Sequence, residues 1–356
     1  MQSIKKLKNL KNKKVIVRAD FNVPILDGRV VDNFRIKKGI PTIKYLVDKG
    51  AKVLVITHLG KDGNSSLDPV ISEFFKLSKI KKDKVVFAPN VRAFIGEEKN
   101  ETDLAKDLAS LGDYYVNDAF SVSHRAHTSV VGIPKYLPSY MGFQLEEEIK
   151  HLSLVLNNKK HPFLFILGGA KFSTKMPLIK KYLKDADTVV ISGALLNNFL
   201  KAKGYEVGKS LVDSEDYGIA KLLKNKKILL ATDVVVSRGN NLINVKVENI
   251  KKDDNIIDIG VESVKEIEKY IKSSKILLWN GPLGIYEKGG DKASKTILKT
   301  IAKNKGKLIS ILGGGDTVAL VNNLKLESKF TFVSTGGGAT LDFLAKGTLP
   351  GIKALK

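Results

Sequence analysis

The stretch "SILGGGDTVALV", Ser310 to Val321, ends an apolar run in Gly313, Gly314 and Gly315 and follows them with Asp316 and Thr317. Side-chain-free backbone at a helix start admits a phosphate to the N–H groups there, and the helix dipole favours the same charge. A carboxylate beside such a seat suits Mg2+, a hard cation that takes one or two carboxylates plus phosphate oxygens. The same residues would also make an ordinary tight turn with Asp or Thr as N-cap. Four more apolar runs break into glycine turns, at Gly168–Gly169, Gly193, Gly281–Gly284 and Gly336–Gly338. In an open parallel sheet such turns fall along one edge, where ligands bind, and five of them favour a polyphosphate over five unrelated turns. Neither GxxxxGK(S/T) nor GxGxxG is present, so neither a P-loop nor a dinucleotide fingerprint explains them.

A second set lies in the first third of the chain. Asp20 and Asn22, two apart at the end of the strand-like "VRADFNVP", share a face. Arg35, His58 and Lys61 of "THLGK", Arg92 of "NVRAF" and Arg125 of "HRAHTS" follow. On one sheet edge these residues would form a basic pocket for a small phosphorylated carboxylate, because Arg grips such anions bidentately. His124 and His127 are three apart, as metal ligands can be, but a chain without cysteine makes a phosphate-facing or capping role the better reading. Lys171 and Lys175, at i and i+4 after the first glycine pair, would share a helix face and neutralise a transferring phosphoryl group. In a lysine-rich chain that spacing alone says little. Glu287 of "NGPLGIYE" is placed to accept ribose hydroxyls or simply to face solvent.

The elements that must position these residues alternate. "KKVIVRADF", "AKVLVITHLG", "DYYVNDAF" and "SVVGIPKYL" read as strands of the first half, with "RIKKGIPTIKYLVDKG" as a helix between the first two. The second half repeats strand, glycine, helix in "HPFLFILGGAK", "DTVVISGALLNNFLKAKG", "KILLWNGPLG" and the two glycine-rich runs near the end, with "KKILLATDVVV" as one more strand. Apolar runs of this length alternating with helices predict parallel sheets covered on both faces. "MGFQLEEEIKHLSLVLNN" between the halves predicts a helix, either a plain connector or a hinge.

Composition narrows the partners. The 356 residues, 43% hydrophobic, suffice for two domains and contain no long uncharged apolar run. The basic start "MQSIKKLKNLKNKK" lacks the apolar core of a secretion signal, and the absence of cysteine fits a reducing cytoplasm. The net charge of +23 raises nucleic acid as a partner. The 60 cationic residues are spread along the chain and only six are Arg, which describes a solvated lysine coat better than a nucleic-acid groove. Such a field still draws anionic metabolites.

Taken together, "VIVRADFNVP", "THLG", "GEEKN", "YVNDAFSVSHRAHTS", "ILGGAKFSTK", "GYEVGKSL", "WNGPLGIYE", "ILGGGDT" and "VSTGGGATLDFLAKGTLPGI" resemble the phosphoglycerate kinase family over nearly the whole chain and in the family's order. The resemblance implies an α/β fold of two Rossmann-like domains. The first, residues 1–145 with a returning tail 342–356, would bind 3-phosphoglycerate or 1,3-bisphosphoglycerate. A hinge helix, 146–157, would lead to the second, 158–341, which would bind Mg-ADP or Mg-ATP. It implies reversible acyl-phosphate transfer to ADP, a glycolytic step, by a cytoplasmic monomer without membrane partners. By motif, Asp20, Asn22, Arg35, His58, Lys61, Arg92 and Arg125 correspond to the acid ligands, with Arg35 also reaching the transferring group. Lys171, Lys175, Gly169, Gly193, Asn280, Glu287, Gly314, Gly315, Asp316 and Thr317 correspond to the nucleotide set, with Asp316 on Mg2+. Gly337 and Gly338 resemble the helix start that faces the phosphoryl group. The family has Arg-Pro where this chain has Lys61-Asp62, and the segment from "SEFFKL" to "VVFAPN" is shorter by roughly one strand–helix unit, on the order of 30 residues. Those departures keep a second reading open, a nucleotide- or nucleic-acid-binding protein that retains the fold with weak or lost kinase activity, and a third, a kinase for a different phosphorylated acid.

Overall fold

The computed structural model describes residues 1–239 and 241–355. Contacts divide the chain into two compact units, Met1–Lys150 with Lys346–Lys356, and His151–Ala345.

The first unit is built on β1 (Lys14–Arg18), whose "KVIVR" is β-branched and buried from Val15 onward. The hairpin β2 (Ile25–Leu26) and β3 (Arg29–Val30) leads to α1 (Phe34–Asp48). Then follow β4 (Lys52–Ile56), α2 (Asp68–Ser78), β5 (Val85–Phe87), α3 (Thr102–Ser110), β6 (Tyr114–Asn117), β7 (Ser139–Met141) and α4 (Phe143–Leu156), whose last residues belong to the other unit. The sheet has the order β5-β4-β1-β6-β7 and every pairing is parallel. The chain winds outward from β1 through β4 to β5, then returns to lay β6 on the other side, so its switch point lies between β1 and β6. Phe21, Phe74, Val17, Val55, Ile36 and Ile43 pack the core between sheet and helices. The short α12 (Pro350–Lys353) joins this unit, with Gly351 N–H donating to the Ser123 carbonyl at 2.8 Å.

The second unit repeats the plan. β8 (Phe163–Leu167), α5 (Phe172–Asp185), β9 (Thr188–Ile191), α6 (Ala194–Ala202), α7 (Ile219–Leu222) and β10 (Ile228–Leu229) form one wing. β11 (Asp233–Arg238), β12 (Asn241–Lys246), β13 (Asn255–Ile259) and α8 (Val261–Ser273) come next. The other wing is β14 (Ile276–Asn280), α9 (Lys292–Lys303), β15 (Ile309–Gly313), α10 (Gly315–Asn323), β16 (Phe332–Val333) and α11 (Gly338–Lys346), the last residue of which is counted with the first unit. The parallel sheet β10-β9-β8-β14-β15-β16 is again wound from its centre, with the switch between β8 and β14. β8 and β14 are buried at all five positions, as a sheet covered on both faces requires. On α9, Ala293, Ile297 and Ile301 recur every fourth residue and supply its buried stripe.

Two sequence expectations are corrected. "SVVGIPKYL" is not a strand: Thr128–Gly132 forms a single wide helical turn and Ile133–Lys135 a 3-10 turn. Pro134 lacks the N–H that a ladder needs, and the edge position beside β6 goes to β7 instead. "KKILLATDVVV" is not one strand but two. It breaks after Leu229, and Asp233–Arg238 joins a separate antiparallel sheet, β12-β11-β13.

Candidate functional site

In the first unit the ends of β1, β4, β5 and β6 lie side by side, and the basic set follows from them. Asp20, two residues past β1, is 8% exposed and takes Arg35 Nη1 at 2.9 Å. It also accepts the Ser121 hydroxyl, which closes the switch point from the β6 side. Burial pushes the Asp20 carboxyl up, but Arg35, His58 and the Ser121 and Asn22 hydrogen bonds more than offset it and hold it below the usual range. Arg35 reaches this position from the first turn of α1, where it also donates to the Asn22 carbonyl at 3.2 Å. Asn22 Oδ1 accepts Gly60 N–H at 3.1 Å and so pins the loop after β4. His58, at the root of that loop, is 4% exposed and its basicity is lowered to about 3, by burial first and then by Arg18. Asp20 opposes the shift, while Arg92 and Arg125 add to it. Arg92 is largely buried, pairs with Glu98, and leaves Nε without a partner. Burial and then Arg125 lower its pKa. Arg125 is exposed and touches His124. Lys61 stands exposed on the loop past Gly60. Asp20, Arg35, His58, Arg92 and Arg125 thus form one charge-coupled cluster, with Asn22 hydrogen-bonded into it.

The second unit gathers the glycines. Gly169, Gly193, Glu287 and Asp316 line a cavity of about 280 Å3 with Asn197, Leu211, Ile256, Asp258 and Pro282. Gly169 (φ +84°) and Gly193 (φ +61°) approach so closely that a Cβ on Gly193 would fall 2.3 Å from the Gly169 nitrogen. Gly169 N–H donates to the Pro282 carbonyl at 3.0 Å, tying the β8 loop to the β14 loop across the switch point. Lys175, one turn into α5, is 6% exposed and donates to the Gly168 carbonyl. Burial lowers its pKa to about 8; Asp316 works against that shift and Lys171 with it. Lys171 is the exposed N-cap residue of α5 rather than a member of its face, so the two lysines differ in exposure despite their spacing.

The helix at the "GGGDT" turn begins at Gly315, with Gly314 (φ +93°) as its N-cap and no side-chain cap. The N-cap role open to Asp316 or Thr317 is therefore not used. The helices α5 and α6 also start without a side-chain cap, so three helix starts on this edge leave N–H groups for a ligand. Asp316 is exposed, whereas Thr317 is fully buried with an unpartnered hydroxyl. Asn280, 3% exposed, leaves Nδ2 unpartnered beside Gly313. Added Cβ atoms on Gly315 and Gly337 would meet open space. The protein does not itself demand the missing side chain at Gly315, which fits a ligand occupying that space. Gly337 (φ +54°) precedes Gly338, the first residue of α11.

Sequence reasoning missed Asn197, Leu211 and Asp258 in the cavity wall, and Glu97 and Ser129 behind the basic cluster. Asn197 and Asn198 carry a signal in hindsight. Two adjacent Asn inside a helix are poor helix formers, and here both donate to the 211–213 backbone, Asn197 to Leu211 at 2.9 Å and Asn198 to Asp213 at 2.8 Å.

Known proteins match nearly the whole chain. The family model described as phosphoglycerate kinase matches residues 4–347. The phosphoglycerate kinase of Coprothermobacter proteolyticus is 41% identical, covering 97% of this chain and 96% of that one. That of Dictyoglomus turgidum is 38% identical, with 98% and 96% covered. Among solved structures, the phosphoglycerate kinase of Coxiella burnetii superposes with a TM-score of 0.85 at 32% identity over 99% of this chain and 98% of that one. That of Pyrococcus horikoshii superposes with 0.88 at 28% over 100% and 98%. A whole-length family match, relatives near 40% identity and the same two-unit α/β fold place this chain in the phosphoglycerate kinase family.

Proposed function

We propose that the first unit binds 3-phosphoglycerate or 1,3-bisphosphoglycerate, that the second binds ADP or ATP, and that the basic cluster and the glycine cradle perform the family's reaction between them. That reaction is reversible phosphoryl transfer of glycolysis. The bond between phosphorus and the carboxyl oxygen of 1,3-bisphosphoglycerate breaks, and a bond from phosphorus to a terminal oxygen of ADP forms. The products are 3-phosphoglycerate and ATP, and no proton need move. The observation that supports this reading is that each sheet, wound from its centre, has candidate residues at its own switch point, a basic cluster in the first unit and a glycine-lined cavity in the second.

Such a transfer asks the protein for position and charge rather than covalent work. Arg35, held by Asp20 and the Asn22 carbonyl, presents a guanidinium for an equatorial phosphoryl oxygen. Arg92, Arg125 and His58 hold the acid, with Lys61 at the rim. Lys171 and Lys175 offset charge on the nucleotide side, and the uncapped starts of α5, α6 and α10 receive phosphate oxygens. Asn280, Thr317, Gly314 and Gly315 lie around that seat, Glu287 at the ribose end, and Gly337 and Gly338 offer backbone N–H groups. The exposed carboxylate of Asp316 in the cavity wall, with the unpartnered hydroxyl oxygen of its neighbour Thr317, fits Mg2+, which when bound would neutralise phosphate charge. We read the working form as a cytoplasmic monomer with small-molecule substrates. The test is steady-state turnover of 3-phosphoglycerate with Mg-ATP, coupled to consumption of the acyl phosphate, with Arg35→Ala alongside. Turnover that collapses in the variant supports the reading; a folded, ATP-binding protein without turnover rejects it.

A further inference from the structure

Behind the basic cluster lies a charged group that no step above uses. Arg18, the last residue of β1, is 0% exposed, and Glu97, in the loop before α3, is 0% exposed as well. They do not touch directly. Ser129 stands between them: its hydroxyl donates to Glu97 Oε1 at 2.6 Å and accepts Arg18 Nε at 2.8 Å. Ser129 N–H donates to Glu97 Oε2 at 2.8 Å, and the Tyr115 hydroxyl fixes the Ser129 carbonyl at 2.7 Å. Arg18 Nη1 donates to its neighbour's carbonyl, Ala19 O, at 2.6 Å. That leaves Nη2, which points at His58 Nδ1 at 3.3 Å.

A guanidinium has only donors. The imidazole nitrogen facing it must therefore offer its lone pair, and in a neutral ring the proton then sits on Nε2. Buried charges are expensive to keep, and apolar residues of similar volume often serve stability as well or better. An orienting task accounts for why this one is kept. We infer that Arg18 is a positioning residue which holds His58 as the neutral tautomer with its proton on Nε2, and that Glu97 and Ser129 keep Arg18 aimed at Nδ1. The inference rests on the reading of His58 as a ligand of the phosphorylated acid: the Nε2–H is the donor the ring then has for an anionic oxygen. Charged groups facing the ring are Arg18, Asp20, Arg92 and Arg125. Three of them are cations, so a protonated ring is disfavoured and the donor persists unchanged across neutral pH.

The test is two-bond 15N–1H correlation spectroscopy on full-length protein labelled at histidine, with the His58 signal assigned by its loss in His58→Gln. In the unmodified protein at pH 7, His58 is expected to show a protonated Nε2 and an unprotonated Nδ1. A proton on Nδ1, or a doubly protonated ring, overturns the inference without any variant. In Arg18→Met, which removes every donor, mixed tautomers and a KM for 3-phosphoglycerate raised roughly tenfold are expected, with kcat changed far less. Arg18→Lys restores the Nε2–H signal by keeping a donor. Ser129→Ala, a milder change, shifts the tautomer ratio in the same direction as Arg18→Met. A folded Arg18→Met protein whose His58 stays wholly Nε2–H refutes the role of Arg18. Failure of the acid-site reading looks different: the tautomer is as expected, but saturating 3-phosphoglycerate leaves the Nε2–H signal unmoved.

Discussion

Arg35 and Asp20 are ion-paired at 2.9 Å, across the gap between the start of α1 and the end of β1. The pair fixes the guanidinium in place, and under the proposed function that is the preorganisation electrostatic catalysis uses. Arg35→Ala is expected to lower kcat by roughly 100-fold or more, the scale of losing one preorganised donor to the transition state. The nucleotide dissociation constant, measured calorimetrically, should stay within about twofold, because Arg35 belongs to the other unit. Equal losses in both quantities would reject its placement.

Lys175 titrates close to neutrality, at about 8, because burial disfavours its charge. Nucleotide phosphates need the charged form. Affinity for Mg-ATP is therefore expected to weaken as pH rises from 7 through 8 to 9.5, and Lys175→Arg should flatten the curve. Titration calorimetry across that range decides. The stability term runs the other way: above about 8 the folded state has released a proton that the unfolded chain keeps up to its ordinary 10.5, so this group's contribution to stability rises with pH in that window.

Asp316 is expected to act only through the metal. Asp316→Asn should weaken Mg-ATP about tenfold, the equivalent of about 1.4 kcal/mol, and leave metal-free ATP nearly unchanged. The check is the same titration with Mg2+ and with chelator. A similar loss in both arms would assign Asp316 to Lys175 instead.

Gly193 and Gly218 make a matched pair. Both have positive φ, +61° and +71°, but a Cβ on Gly193 would strike the Gly169 nitrogen while one on Gly218 meets nothing within 4 Å. Gly218→Ala should cost only strain, about 1–2 kcal/mol in urea unfolding. Gly193→Ala should cost more and also abolish ATP binding, because the β8 loop must move. Retained ATP affinity in Gly193→Ala would mean the cradle is not formed by these two loops.

Burial pushes the Asp118 carboxyl up to about 7, against hydrogen bonds from Thr42, Leu145 and Gln144, and Asp258 is raised to about 7 likewise. Between the ordinary 3.8 and 7 the folded state holds protons that the unfolded chain has lost, so the stability these groups supply at low pH declines as pH rises through 7. His58, lowered to about 3, works in the opposite sense up to its ordinary 6.5, so the test is a difference: from pH 5 to pH 8 the urea midpoint of the unmodified protein is expected to fall relative to that of Asp118→Asn. An unchanged slope in the variant would exclude Asp118 as its source.

The sequence made the glycine cradle legible because each element of it is local: an apolar run, a glycine turn, a helix start. The basic cluster was legible because Arg is scarce in this chain and most of its copies lie in the first third, near Asp20, Asn22 and His58. The Arg18–Ser129–Glu97 group was not, since its members are 111 and 32 positions apart and only tertiary packing brings a serine between two charges. The antiparallel sheet was hidden for another reason. "LLATDVVV" is apolar on both sides of a break, and nothing in such a run marks where a chain leaves one sheet for another. The wide turn at Thr128–Gly132 has strand-like composition, but the place beside β6 is taken by β7.

The segment from Lys346 onward packs into the unit formed by the first 150 residues: Gly351 is bonded to Ser123 and Asn117, and Ile352 and Leu355 are 3% and 2% exposed. Folding during synthesis ordinarily proceeds from the amino-terminal domain onward. In this chain the ribosome delivers all of His151–Ala345 before it delivers the strap that seals Val130 and Ser123. Until those last residues are made, the first unit lacks the piece of chain that covers this seam. The half that is written first needs the last words written to close.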